Sequence, residues 1–330
     1  MIYGFVKFLM TVALRLYYRR IYVTGLENIA AKGPVIILPN HNSSLMDAAI
    51  LGVLIRRPLH FFARGDVFTS NFVSKLLARF HMLPVHHHEG RKTLDQNTQS
   101  FSKAEDILLK GGIIIFFPEG SSHIDKQLKP LRKGVFRLAF NTAARKNYAL
   151  DIPMIPAGIT YSKPTTWRAD VIVHLGTPIL LSDYIPGYLS NPAATLLQLS
   201  KIAYKAMELQ VPNIIDASLN DVTAGCTEIV LNDFSYHTAH WQSATRKRLE
   251  QEKAVYHSLG SASQHTREKI STTYQRYTAL LNESDLKDKT LSPYFHFPGW
   301  NYLFLLSGII LFPIGFLLNA LPLLVARKIS

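Results

Sequence analysis

The sequence predicts an α/β fold: a mostly parallel central sheet flanked by helices, with a helical C-terminal extension and membrane-associated terminal segments. Three observations lead there. Short apolar stretches alternate with helical ones through the first half of the chain, the order that builds crossover connections and a parallel sheet. Several of those stretches, such as "VIIL" and "IIIFF", are apolar at every position, as strands covered on both faces must be. The two ends carry apolar patterns suited to lipid.

With 330 residues, 48% hydrophobic and 18% charged, the chain can bury a full core and still place apolar surface elsewhere. Its 36 basic and 23 acidic residues leave a formal charge of +13, which calls for an anionic partner: lipid headgroups, phosphorylated substrates or nucleic acid. Cys226 is the sole cysteine, so no intrachain disulfide can form and a reducing compartment is expected.

Residues 1–20 are too short and too charged to span a bilayer, and Lys7 and Arg15 interrupt any export-signal core. On a helical wheel Ile2, Phe5, Leu9, Val12, Ala13 and Leu16 share one face, with Lys7, Thr11 and Arg15 opposite. That pattern fits a helix in a membrane interface, cations toward anionic headgroups; it also fits a first helix packed on the protein's own core.

Residues 21–185 form the α/β domain. Strands are expected at Val35 to Leu38, Leu59 to Phe62, Met82 to Val85, Ile113 to Phe117, Met154 to Ile159 and Val171 to Leu175. Helices are expected at Ser44 to Ile55, Asn71 to Phe80, Leu94 to Leu109 and Lys133 to Arg145. Residues 186–290 read as a helical extension: Ala193 to Leu209 has helical apolar spacing, and Thr245 to Asp288 is polar and helix-like. Residues 291–330 read as a C-terminal membrane segment. Tyr302 to Val325 holds no charge over 24 positions, long enough to cross a bilayer, while Pro313, Asn319 and Pro322 would kink it or turn it back. Arg327 and Lys328 beyond it favour a cytoplasmic location for that end, and the folded domain is expected on the cytoplasmic side.

The chemistry concentrates in two stretches. In "VIILPNHNSSLMDAAI" a buried strand gives way to a helix, so His41 and Asp47 flank the turn at a strand's carboxyl end, where open parallel sheets hold their ligands. If both side chains point into that crevice, the carboxylate fixes the imidazole tautomer and the free nitrogen removes a proton from a substrate hydroxyl, with no protein nucleophile. Ser44 and Asp47 equally fit a capping box, in which the acid only satisfies backbone donors. In "GGIIIFFPEGSSH" another strand ends on the same rim with Pro118, Glu119 and Gly120. The triple histidine His86 to His88 reads as a solvated loop rather than a metal site, because neighbours on a strand alternate faces.

Taken in order, "NHNSSLMD", "HFFARGDVF", "FPEGSSH", "KPLRKG" and "MIPAGI" resemble the glycerolipid acyltransferase family, in particular the 1-acylglycerol-3-phosphate acyltransferases, over about Tyr22 to Ile179. The resemblance implies the glycerolipid acyltransferase fold. It makes His41 the general base and Asp47 its orienting partner, here with five residues between them where the family has four. It implies that Arg64 binds the acceptor phosphate through its planar fork. Glu119, Gly120 and Ser121 would bind the acceptor, and Ser122 replaces the family's arginine, leaving Lys133, Arg132 or Arg91 to compensate. Ile155 and Pro156 would shape the acyl pocket.

The activity implied is transfer of a fatty acyl group from a thioester to the free hydroxyl of 1-acylglycerol-3-phosphate, giving phosphatidic acid. The co-substrate would be acyl-CoA or acyl carrier protein, with no cofactor and no metal. Glycerol 3-phosphate or another lyso-lipid as acceptor, or an inactive membrane-bound scaffold of the same fold, are the alternatives. The partners expected are membrane lipid and an anionic membrane surface. Nucleic acid is disfavoured, because the basic residues are dispersed rather than interleaved with stacking aromatics. No G-x-S-x-G elbow, Walker loop, H-E-x-x-H pair or dinucleotide fingerprint occurs.

Overall fold

A computed structural model describes residues 2–85, 91–123, 126–162, 166–213, 219–233 and 241–291, without the side chains of 2–3, 91–96, 220, 241–249 and 289. The apolar run Tyr302 to Val325, its flanking aromatics and the triple histidine lie outside the described residues. The chain divides into two compact units, residues 1–227 with 236–274 and residues 228–235 with 275–330.

The first unit is built on a seven-stranded sheet: β1 (Arg20–Thr24), β2 (Val35–Pro39), β3 (Leu59–Arg64), β4 (Met82–Val85), β5 (Ile113–Ile115), β6 (Met154–Tyr161) and β7 (Asp170–Leu175). Their spatial order is β1-β7-β6-β2-β5-β3-β4, and every pair is parallel except β6 with β7. The uniformly apolar β2 and β5 fall near the centre, as their composition requires. β1 was not legible as a strand. It sits at the sheet edge, pairs with β7 from Arg20 opposite Asp170, and keeps a half-exposed, mixed pattern.

Helices cover both faces. α1 (Ile2–Tyr17) and α2 (Leu45–Leu54) pack on one side, where Leu14, Ile50 and Leu51 meet Val35, Ile37, Ile113, Ile155 and Val173. On the other side α4 (Arg91–Leu109), α5 (Gly134–Ala144) and α7 (Pro192–Glu208) meet Ile36, Leu38, Ile114 and Met154. Between them in chain order come α3 (Asn71–Arg79), ahead of β4, and the short α6 (Ile185–Ser190). The alternation along each strand assigns residues to faces: Ile155, Ala157, Ile159 and Tyr161 of β6 all look toward α1 and α2.

Two expectations change. Leu196, Leu199, Ala203 and Met207 of α7 are fully or nearly buried in the sheet's own core, so the helical stretch after residue 185 starts as part of the α/β unit rather than as an appendage. Gly158 shows how close that packing is: a Cβ there would stand 2.3 Å from the Gln210 carbonyl oxygen just past α7. In α1, Lys7 does not face outward. It donates to the Ile55 carbonyl at the end of α2 over 2.6 Å, and burial lowers its pKa. A cation at a helix C-terminus is favoured by the unsatisfied carbonyls there. Phe5, Phe8, Leu9, Val12 and Leu16 of α1 remain exposed to solvent while Leu14 is buried, so α1 has a core-facing stripe and a separate outward apolar ridge. No described helix is long and apolar enough to cross a membrane.

Further along, α8 (Asn220–Asp233), α9 (Trp241–Ser261), α10 (Gln264–Glu283) and α11 (Asp288–Leu291) follow, in keeping with the helical reading of this region. Within the second unit the Tyr277 hydroxyl donates to Asp288.

One imidazole pair gives a pH dependence to stability. His60 on β3 stacks on His81 with ring centroids 4.5 Å apart, and burial, then the neighbouring His81, lowers the His60 pKa from its ordinary 6.5. The unfolded chain therefore takes up a proton that the folded chain resists. Stability is full above pH 6.5 and declines as the pH falls from there toward the folded-state value. The thermal midpoint is expected to drop as the pH falls below 6.5, and His60→Gln to flatten that slope, as differential scanning fluorimetry would show.

Candidate active site

The site forms where β2 leaves the sheet. After Pro39 the ladder is continued by a side chain: Asn40 accepts from Ile159 N–H through Oδ1 at 2.7 Å and donates through Nδ2 to the Ile159 carbonyl at 3.0 Å. The chain then makes a tight turn, Met46 N–H to the Ser43 carbonyl at 3.0 Å, with Ser44 at φ 46°, ψ −118°. A positive φ at a serine costs about 1–3 kcal/mol, held here by the surrounding packing. This turn accommodates the five intervening residues. His41 and Asp47 meet regardless, Nδ1 to Oδ2 at 2.9 Å.

Asp47 lies in the first turn of α2 with a completely buried side chain. Its Oδ2 accepts from His41 Nδ1 and from the Ser43 N–H at 2.8 Å, and its Oδ1 accepts from the Tyr161 hydroxyl at 2.5 Å. The capping-box alternative fails in its details: Ser44 makes no side-chain capping bond, and the acid serves both the turn and the imidazole. His41 Nδ1 is thus engaged by Asp47, and Nε2 is the ring nitrogen away from that carboxylate. The ring lies against Phe117, centroids 3.9 Å apart and planes at 24°.

The loop after β5 holds His41 from the other side. The His41 N–H donates to Glu119 Oε1 at 2.9 Å, and the His41 carbonyl accepts from the His123 N–H at 3.0 Å. Glu119 is turned inward, its side chain 1% exposed. Its second oxygen takes the His123 Nε2 at 2.7 Å and the Lys129 N–H at 2.9 Å. Gly120 follows at φ 78°, and a Cβ there would meet Arg132 Nε at 2.4 Å. The positive φ favours glycine there, and a larger residue would also have to displace the Arg132 side chain.

The other expected residues are less convergent. Arg64, 72% exposed, is paired with Asp66 at the end of β3, donating from Nε at 3.1 Å and from Nη2, so its fork must exchange one carboxylate for any phosphate. Ser121 and Lys133 are exposed on the loop and at the start of α5. Ile155 and Pro156 sit in the closed interior of β6 rather than at the rim. The side chain of Arg91 is outside the described residues. Sequence reasoning missed Tyr161, Asn40 and the ring contact of Phe117. The period-two pattern of β6 was the available signal for Tyr161, since it shares a face with Ile155, Ala157 and Ile159.

Fold and site together define an α/β protein with an acid-steered histidine at the carboxyl rim of a largely parallel sheet. Residues 20–160 match the family model described as Acyltransferase. The chain is 29% identical over 106 residues to glycerol-3-phosphate O-acyltransferase 2 of Saccharomyces cerevisiae, 32% of this chain and 14% of that protein. It is 28% identical over 123 residues to a 1-acyl-sn-glycerol-3-phosphate acyltransferase of Borreliella burgdorferi, 37% of this chain and 47% of that protein. The crystal structure of the 1-acyl-sn-glycerophosphate acyltransferase PlsC from Thermotoga maritima aligns with a TM-score of 0.44 at 18% identity, covering 62% of this chain and 79% of that one. Matches to the curated relatives thus span less than half of those proteins' lengths. Residues 20–160 are thus similar to acyltransferase domains, those of 1-acyl-sn-glycerol-3-phosphate and glycerol-3-phosphate acyltransferases among them.

Proposed function

We propose that this protein transfers a fatty acyl group from an acyl thioester to the free hydroxyl of 1-acylglycerol-3-phosphate. The observation that carries this is the 2.9 Å bond between His41 Nδ1 and a fully buried Asp47, which leaves Nε2 as the base. His41 takes the hydroxyl proton, the oxygen attacks the thioester carbonyl, the C–S bond breaks, and the departing thiolate is protonated by the imidazolium. Phe117 and Glu119 fix the ring and its backbone, so the base need not reorganise.

Lys133 and Arg132 flank the loop that carries Glu119, and with Arg64 they are the cations we assign to the acceptor phosphate. The outward ridge of α1 supports a membrane seat: an acyl chain is worth about 0.8 kcal/mol per buried CH₂, so substrate reaches the enzyme from lipid rather than from water. Acyl-CoA or acyl carrier protein serves as donor, and the folded domain lies on the cytoplasmic face.

The test is a panel run on the purified full chain in detergent or vesicles, following thiol release from acyl-CoA and from acyl carrier protein. Release dependent on 1-acylglycerol-3-phosphate is expected. Release only with glycerol 3-phosphate or another lyso-lipid would replace the acceptor, and none with any acceptor would replace the reading by a binding role.

A further inference from the structure

We propose that Tyr161 is a positioning residue of this site, its hydroxyl holding Asp47 in the one orientation that steers His41. The inference rests on the base reading above and adds a residue that lies just past the family-matched stretch, which ends at 160.

The register brings it there. Pro39 at the end of β2 pairs with Ala157, so Gly158 to Tyr161 run on beyond the neighbouring strand and along the start of α2. Alternation turns Tyr161 toward that helix, where it is 2% exposed and donates to Asp47 Oδ1 over 2.5 Å. Asp47 then has one oxygen held by Ser43 N–H and His41 and the other held by Tyr161. Two anchors on opposite oxygens fix rotation about the side-chain torsions. With only one of them, the carboxylate can turn about Oδ2, keep its backbone donor and lose the imidazole.

The local turn makes this anchor consequential. Six positions separate His41 from Asp47 across a strained bend at Ser44, so neighbouring backbone alone constrains the acid loosely. A donor from a different strand supplies what the bend does not. The donor is permanent: burial first, then the Asp47 charge, push Tyr161 ionisation far above its ordinary 10, so the phenol keeps its proton at every working pH.

The test compares Tyr161→Phe, which keeps the ring and removes the oxygen, with Tyr256→Phe elsewhere in the same unit, which removes a buried hydroxyl with no hydrogen-bond partner among the described residues. Tyr161→Phe is expected to lower kcat about ten-fold, the scale of one lost hydrogen bond to a charged group, with KM for both substrates within about two-fold. The acid limb of its pH–rate profile is expected to move, while Tyr256→Phe matches wild type. If Tyr161 acts through Asp47, Tyr161→Phe adds no further loss to Asp47→Asn. The downfield NMR signal of the His41 Nδ1 proton is expected to shift or be lost to exchange in Tyr161→Phe, and it is read whether or not the protein turns over.

Unchanged kcat, pH profile and imidazole proton in Tyr161→Phe would reduce Tyr161 to core filling, as would losses that add to those of Asp47→Asn. Failure of the base reading is distinguishable: His41→Ala would retain activity while Tyr161→Phe still displaced the imidazole proton.

Discussion

His41→Ala is expected to lower acyl transfer by about 10²- to 10⁴-fold with the fold intact. In the proposed reaction this imidazole, held on Nδ1 by a buried carboxylate, takes the hydroxyl proton and returns it to the thiolate, so its removal takes away both transfers. The substitution spares the architecture, because the bonds that tie this residue into the loop run through its main chain: N–H to Glu119 and carbonyl from His123. What is lost is the contact with Phe117 and the bond to Asp47, whose Oδ2 keeps the Ser43 N–H, so the thermal midpoint should stay within a few degrees of wild type. Initial rates of thiol release, with the midpoint measured on the same preparation, check both halves. A folded variant that keeps a tenth of the rate would end the proposal that this imidazole is the base.

Glu119→Ala should act on stability first. Its carboxylate accepts from the His41 N–H, the Lys129 N–H and His123 Nε2, and its side chain is almost completely buried. Truncation leaves three donors facing a void that backbone cannot close. The cost is expected to be about 3–5 kcal/mol, the range for breaking a buried charged network, and a urea denaturation curve would register it as a lower midpoint at unchanged slope. Activity should fall too, since the released loop no longer holds the His41 backbone. Glu119→Gln should fall between the two, because an amide keeps one acceptor but turns a donor toward another. An unchanged urea midpoint in the alanine variant would mean that the acid points outward in solution and is available to the acceptor instead.

The sequence disclosed the sheet and the two stretches of the candidate site because both depend on local signals. "VIIL" and "IIIFF" are runs that only a doubly covered strand tolerates, and β2 and β5 are fully buried. His41 and Asp47 could be nominated from residue type and position at a strand end, yet whether they touch depended on the dihedrals of Ser44, which composition does not encode. β1 escaped because an edge strand needs no apolar alternation, and its partner lies about 150 positions away, Arg20 opposite Asp170. The inward turn of Lys7 escaped for a similar reason: a helical wheel ranks faces by polarity, whereas the Ile55 carbonyl that attracts this cation belongs to another helix. Arg64 marks a different limit. A basic residue beside an acid suits both phosphate and carboxylate, and the nearer carboxylate holds it here.

The grip of the "PEGSSH" loop on both the amide and the carbonyl of His41 has a consequence for protein engineering and for descent. The two stretches, far apart along the chain, constitute a single mechanical part, so neither can be exchanged alone. A chimaera that imports a relative's loop should misplace the imidazole unless the segment matching "NHNSSLMD" travels with it.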